Sequence, residues 1–325
     1  MILFTKIRSL FVPQMYQGWG NTRKYFEGWY FKVVNADETK AFAFIPGISM
    51  NPSGEKKAFI QVLDGRKKSA TFFPFEASAF LPSKTDFRVN VSNNFFSASQ
   101  MKLDLPSVTG ELAFTDNREW PNPWYSPGIM GPYTFAPFME CNHGIVSLDH
   151  SITGSLVIDG EITDFTGGRG YIEKDWGHSF PSAYIWMQSN HFSAPGISFK
   201  ASVARIPWLT GNFTGFISGL LFDNRLYSFT EYGGGRLIRL AVTGSGVEME
   251  FRSRTHILNL TAPTDTATPL ASPVRGFMGG RIEESMTSVI SLTLSEKLSG
   301  RVIFTGEGRN ASIEVSGDTK TLMPG

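Results

Sequence analysis

Ser155-Leu-Val-Ile-Asp-Gly-Glu-Ile162 sets Asp159-Gly160 between two strand-like runs. Asp-Gly flanked by apolar residues is a strong short-range hairpin signal, because a tight two-residue turn needs positive φ at its central positions. Outward from this hairpin, short runs bounded by turn residues recur. Lys57–Leu63 lies between Gly54 and Asp64-Gly65, and Phe87-Arg-Val-Asn-Val91 alternates apolar with polar. Thr287–Leu294, Arg301–Thr305 and Ala311–Val315 read as late strands. Few windows of a dozen residues lack Gly, Pro, Asn or Asp. One helix candidate, Trp208–Phe222, is weakened by Gly211, Gly215 and Gly219, and a strand pair fits it about as well. Gly233-Gly-Gly235 reads as a turn tip before a solvated strand carrying Arg236 and Arg239. Leu258–Pro273, rich in Thr, Ala and Pro, reads as a surface loop. The pattern is that of an all-β protein with little helix.

The 325 residues suffice for two domains or one large all-β unit. A boundary is placed near residue 145, after the loop Trp120-Pro-Asn-Pro-Trp-Tyr-Ser-Pro127, giving segments 1–145 and 146–325. The 28 Phe, 7 Trp and 9 Tyr imply a large apolar core or an apolar site. Thirty basic and 29 acidic residues give a net charge of +1. With no long run of one sign, that balance argues against the basic face that nucleic acid normally requires, and no nucleic-acid partner is expected. Cys141 is the sole cysteine, so no internal disulfide can form, which fits a reducing compartment. Lys6 and Arg8 interrupt the apolar start Met1–Pro13, which makes a poor signal peptide. No run of 18 apolar residues offers a membrane span. The expectation is a cytoplasmic protein, with the aromatic loop Trp120–Tyr125 either touching a bilayer peripherally or plugging a barrel end.

Three blocks could carry chemistry. In Tyr25-Phe-Glu-Gly-Trp-Tyr-Phe-Lys32, aromatics surround Glu27 and would raise its pKa as a general acid. The plainer alternative is a first strand with Glu27 exposed. In Met139-Glu-Cys-Asn-His143, alternation puts Cys141 and His143 on one strand face, lining a cavity or simply packing. A metal there would lack a convincing second ligand pair, even with His150 further on, so no metal or other cofactor is expected. The richest block is Thr166-Gly-Gly-Arg-Gly-Tyr-Ile-Glu-Lys-Asp-Trp-Gly-His-Ser-Phe-Pro181. Glu173, Lys174, Asp175 and His178 sit beside Tyr171 and Trp176, and titratable groups among aromatics are costly to bury unless paired. The alternative is an ion-paired turn, with Lys174 bound to Glu173 or Asp175. Tyr184, Trp186, Gln188 and Asn190 then form one large, hydrogen-bonding strand face. Gly167-Gly-Arg-Gly170 lacks the Lys-Ser/Thr ending of a phosphate loop.

Phe26–Lys32, Met139–Gly144, Tyr171–Gly177 and Trp186–Asn190 together resemble the tocopherol cyclase-like family, in matching order. The resemblance implies two lipocalin-like antiparallel β-barrel halves packed together. It also implies acid-catalysed closure of a prenylated hydroquinone, or a similar isoprenoid, to a chromanol-type ring. An acid protonates the alkene and the phenolic oxygen attacks the tertiary cation, without redox cofactor or metal. On this reading Glu173 is the first choice of proton donor and Asp175 the second, because the plant members tend to carry Asn at that position. Trp29, Tyr30, Trp176 and Trp186 would line the pocket beside Glu27 and Tyr171. Gln188, Asn190 and His143 would hold the hydroquinone oxygens. The absence of the plant members' plastid-targeting extension leads to the expectation of a bacterial member. Two alternatives stay open: a noncatalytic binder of an apolar lipid or pigment, and an isoprenoid hydratase or isomerase. The partner expected in each case is an apolar small molecule, with oligomeric state left open.

Overall fold

The structure, a computed structural model, describes residues 2–136, 139–208, 211–264 and 267–322. The chain divides into two compact units, Met1–Phe180 with Leu270–Arg281, and Pro181–Pro269 with Ile282–Gly325. Both are lipocalin-like and built almost wholly of antiparallel strands. The division differs from the 145/146 boundary expected from the sequence. Residue 145 lies inside a strand, Cys141–Ile158, that pairs on both sides within the first unit.

The first unit opens with a helix, α1 (Ile2–Phe11). Its strands are β1 (Tyr25–Val34), β2 (Ala41–Met50), β3 (Lys56–Asp64), β4 (Ser69–Glu76), β5 (Phe80–Pro82) and β6 (Arg88–Val91). They continue as β7 (Asn94–Ser97), β8 (Gln100–Asp104), β9 (Val108–Thr115), β10 (Cys141–Ile158), β11 (Glu161–Asp164) and β12 (Arg169–Gly177). The sheet runs β4-β3-β2-β1-β12-β10-β9-β8-β7-β6-β5, so β12 is inserted between β1 and β10. The sheet curls over its own core. Trp29 of β1 stacks on Phe87 at 5.6 Å, and Phe31 meets Phe96 at 5.4 Å, although β6 and β7 lie far along the strand order. The Asp159-Gly160 hairpin forms between β10 and β11 with φ of 50° and 85°, the left-handed values its turn demands.

The second unit contains β13 (Tyr184–Ser189), β14 (Ser198–Trp208), β15 (Gly211–Phe222), β16 (Arg225–Thr230), β17 (Arg236–Thr243) and β18 (Gly246–Arg252). β19 (His256–Pro263) and β22 (Val302–Ser316) also belong to it, while most of β20 (Thr268–Val274) and the first five residues of β21 (Phe277–Glu296) belong to the first unit. Trp208–Phe222 is strand and turn, not helix, with residues 209–210 outside the described ones. Its core includes Ile185, Met187, Phe199, Phe216, Phe251 and Ile313. The expected loop Leu258–Pro273 is instead strand over β19 and most of β20, with 265–266 outside the described residues. Leu258, Leu260 and Ala262 are buried at period two, a signal masked by the Thr and Pro content around them. The two late runs 301–305 and 311–315 belong to one bulged strand, β22. Among the described residues no helix is long and apolar enough to cross a membrane.

Candidate functional site

Successive side chains of a strand point to opposite faces of its sheet. The run Tyr171–Trp176 on β12 therefore serves two separate environments. β12 pairs β1 with Glu173 opposite Tyr30 and Lys174 opposite Trp29. It pairs β10 with Asp175 opposite His143 and Glu173 opposite Ile145. Tyr171, Glu173, Asp175, Tyr30 and His143 thus share one face. Glu27, Trp29, Lys174 and Trp176 share the other, which is the face of the hydrophobic core.

On the first face His143 stands between two carboxylates. Its Nδ1 lies 2.6 Å from Asp175 Oδ1 and its Nε2 lies 3.4 Å from Glu173 Oε2. The Tyr171 hydroxyl donates a short hydrogen bond to Glu173 Oε2. Glu173 is only 3% exposed, while Asp175 is partly open to solvent. Burial, reinforced by the Glu173 charge, pushes the Tyr171 phenol well above its ordinary pKa, so it remains a donor. The arrangement is a chain of hydroxyl, carboxyl, imidazole and carboxylate that can store and pass a proton. His143, Glu173 and Asp175 also offer three ligand atoms within 4.8 Å of one another, a nitrogen-and-oxygen set that suits a divalent cation. In the arrangement seen, both imidazole nitrogens face carboxylates.

On the opposite face Glu27 and Lys174 form a fully buried ion pair, 2.6 Å apart. Glu27 also accepts the backbone N–H groups of Gln17 and Gly18, at 2.9–3.0 Å, and the Tyr25 hydroxyl. Lys174 donates to the carbonyls of Pro13, at 2.9 Å, and Met15. Its ammonium lies 5.0 Å from the ring centre of Trp29 and 4.4 Å from that of Trp176. Burial pushes Lys174 down to about 8 and Glu27 upward, with each partner's charge opposing the other's shift. Both oxygens of Glu27 are engaged in pinning segment 13–18 against the strands. The alternative pairing of Lys174 with Glu173 or Asp175 does not form, because strand alternation sends Lys174 the other way. Trp29 also donates its indole N–H to the Gln14 carbonyl at 2.9 Å.

Trp186, Gln188 and Asn190 belong to the second unit. Trp186 and Gln188 lie on the face of β13 opposite the core residues Ile185 and Met187. Trp186 pairs with Ser202 and Glu314, and Gln188 with Lys200 and Ser312. Gln188 Nε2 is 3.4 Å from Asn190 Oδ1, and Tyr184 donates to Glu314 at 2.8 Å. Lys200 and Glu284 are buried in this unit without any motif to announce them, since their strands are distant in sequence. His150 does not join His143. It is buried against Phe114, its Nδ1 3.1 Å from Ser147 Oγ.

A family model described as tocopherol cyclase-like matches residues 118–317. The chloroplastic tocopherol cyclase of Zea mays is 25% identical over 193 residues, which cover 56% of this chain and 40% of that protein. A protein of Oryza sativa subsp. japonica, described as a probable chloroplastic tocopherol cyclase, is 24% identical over the same shares. The chain therefore matches well under two thirds of the length of these relatives. Among solved structures, CghA aligns over 90% of this chain and 88% of its own, with a TM-score of 0.56 and 12% identity. A protein given the AttH name, from Nitrosomonas europaea, aligns over 91% and 93%, with a TM-score of 0.56 and 14% identity. At such identities these structures speak for the fold alone.

Proposed function

This chain belongs to the tocopherol cyclase-like family, and on that premise we propose that it is an acid-catalysed cyclase of a prenylated hydroquinone or similar isoprenoid. The observation that carries the reading is the enclosed Glu173, hydrogen-bonded by Tyr171 and facing an imidazole that Asp175 holds from behind. With Nδ1 of His143 protonated and bound to Asp175, Nε2 and Glu173 share the next proton. One further proton gives a carboxylic acid beside an imidazolium. The neighbouring positive charge favours the ionised carboxylate and so strengthens the acid.

Glu173 then gives its proton to the less substituted carbon of the alkene. A C–H bond forms and the tertiary cation develops. The phenolic oxygen attacks that cation, a C–O bond forms, and the phenolic O–H is broken. Its proton returns to Glu173, so the reaction is an isomerisation that consumes nothing. Tyr30 stands opposite Glu173 in the sheet register, and an aromatic ring beside the acid suits a developing cation. Exclusion of water favours closure over hydration.

Incubation of the protein with a prenylated hydroquinone in D2O tests this. Chromanol of one handedness, deuterated at the carbon next to the new ether carbon, is the expected product. Glu173→Gln should lower kcat by about two to four orders of magnitude while ligand binding persists. Treatment with a chelator should leave turnover unchanged; loss of activity, restored by a divalent ion, would make the His143 cluster a metal centre instead. A tertiary alcohol as product would assign the same acid to a hydratase.

A further inference from the structure

The first helix is seated with its apolar side outward. In α1, Thr5 and Ser9 are buried, whereas Leu3, Phe4, Ile7, Leu10 and Phe11 are exposed, Phe4 by 79%. Those five positions fall on one stripe of a helix. A helix held by hydrophobic burial alone would rotate this stripe inward. Here the opposite orientation is fixed by polar contacts. Gln17 Nε2 donates to the Ser9 carbonyl at 2.7 Å, and Asn122 Nδ2 donates to the Phe11 carbonyl at 2.9 Å. The segment that follows the helix is itself clamped by Lys174 and Glu27.

The stripe continues into a neighbouring loop. Phe11 meets the exposed Phe135 with ring centres 5.9 Å apart. From the Asn122 anchor the same loop presents Trp124, 78% exposed, against Tyr125. Lys6 and Arg8 are exposed on the helix, and Ile2–Phe11 contains no acidic residue. Leu, Ile and Phe side chains flanked by Trp, Tyr and basic residues are the composition of an element lying in a membrane interface. The positive charge complements an anionic lipid surface.

We infer that α1 and the 122–135 loop form a docking surface for an anionic lipid bilayer, which the protein binds peripherally. This surface does not depend on the acid chemistry above. Binding would sink Phe4, Ile7 and Trp124 into the headgroup and acyl boundary, with Lys6 and Arg8 at the phosphates.

Flotation of the full chain with phosphatidylcholine vesicles, with and without phosphatidylglycerol, provides the test. Vesicles containing phosphatidylglycerol should bind about tenfold more tightly or better. Phe4→Ser combined with Ile7→Ser should weaken binding at least about tenfold. Trp124→Ser should weaken it from outside the helix, so a helix lost to substitution does not decide the result. Lys6→Gln with Arg8→Gln should abolish the preference for acidic lipid. Failure to float with acidic vesicles overturns the inference, as does binding indifferent to Phe4, Ile7 and Trp124. A concentration-dependent dimer dispersed by Phe4→Ser and Ile7→Ser would assign the face to a second copy and overturn it too.

Discussion

Asp175 and Glu173 are two residues apart and touch the same imidazole, yet their environments give them different work. Glu173 is enclosed and, on the proposed mechanism, delivers the proton, whereas Asp175 holds the Nδ1 side of His143 from a partly solvated position. Asp175→Asn keeps an acceptor at Nδ1 but removes the charge that favours imidazolium. It should cost about tenfold in kcat, far less than Glu173→Gln, with KM little changed; steady-state kinetics on both variants measures the split. A second histidine makes a separate prediction. His150 is fully buried, and burial assisted by the Arg169 charge pushes its pKa down from 6.5 to about 3. Below pH 6.5 the unfolded chain gains a proton that the folded chain refuses, so stability falls as pH drops from 6.5 toward 3. The loss approaches ~1.4 kcal/mol per pH unit in the steepest part of that window. Urea titrations between neutral pH and pH 4 should show this slope, and His150→Gln should flatten it. Part of this distinction follows from spacing: His143 and His150 lie seven residues apart on one strand, and an odd spacing sends them to opposite faces. The two register shifts between them offset each other in facing, leaving His143 opposite Asp175 and His150 opposite Gly170, partners that no local pattern names.

At the scale of elements, β12 decides the site. Its dense block of charge and aromatics was visible as a linear cluster, and the all-β character around it was readable from hairpin turns and alternation. The division of labour within it follows from strand period alone: Tyr171, Glu173 and Asp175 one way, Lys174 and Trp176 the other. In linear order the two faces look alike, because Tyr171, Glu173, Asp175 and Trp176 all suit a pocket. What no local pattern could supply is the distant partner, since Lys174 meets Glu27 and carbonyls of residues 13 and 15 through tertiary structure. Breaking this buried pair should be costly. Glu27→Gln leaves the ammonium without its counter-charge and is expected to lower stability by roughly 3–5 kcal/mol. Glu27→Leu with Lys174→Met removes both charges and should recover much of that loss. Denaturant midpoints of the three proteins measure the effect, and a double variant no better than the single one would show that the strap needs the ions themselves.

For the molecule as a whole, the unit boundary at Phe180 and Pro181 has a direct consequence for dissection. A chain ending at residue 145 lacks β12 and nearly all of β10, leaving β1 and β9 with open edges, so it should aggregate. A chain of residues 1–180 keeps the continuous sheet but lacks Leu270–Arg281. Gln61 grips that segment through Ala271, accepting its N–H at 3.0 Å and donating to its carbonyl at 3.1 Å. Gly276 N–H also bonds the His178 carbonyl, and Phe180 N–H the Pro273 carbonyl. The 1–180 piece should therefore fold but melt below the same piece joined by a linker to 270–281, a difference that calorimetry resolves. The return of Leu270–Arg281 also bears on timing during synthesis. At about 5–20 residues per second, the ribosome needs on the order of ten seconds to make Pro181–Pro269. Throughout that interval the nascent first unit has β12 in place but waits for its final segment, which makes this the stage at which chaperone engagement would matter most.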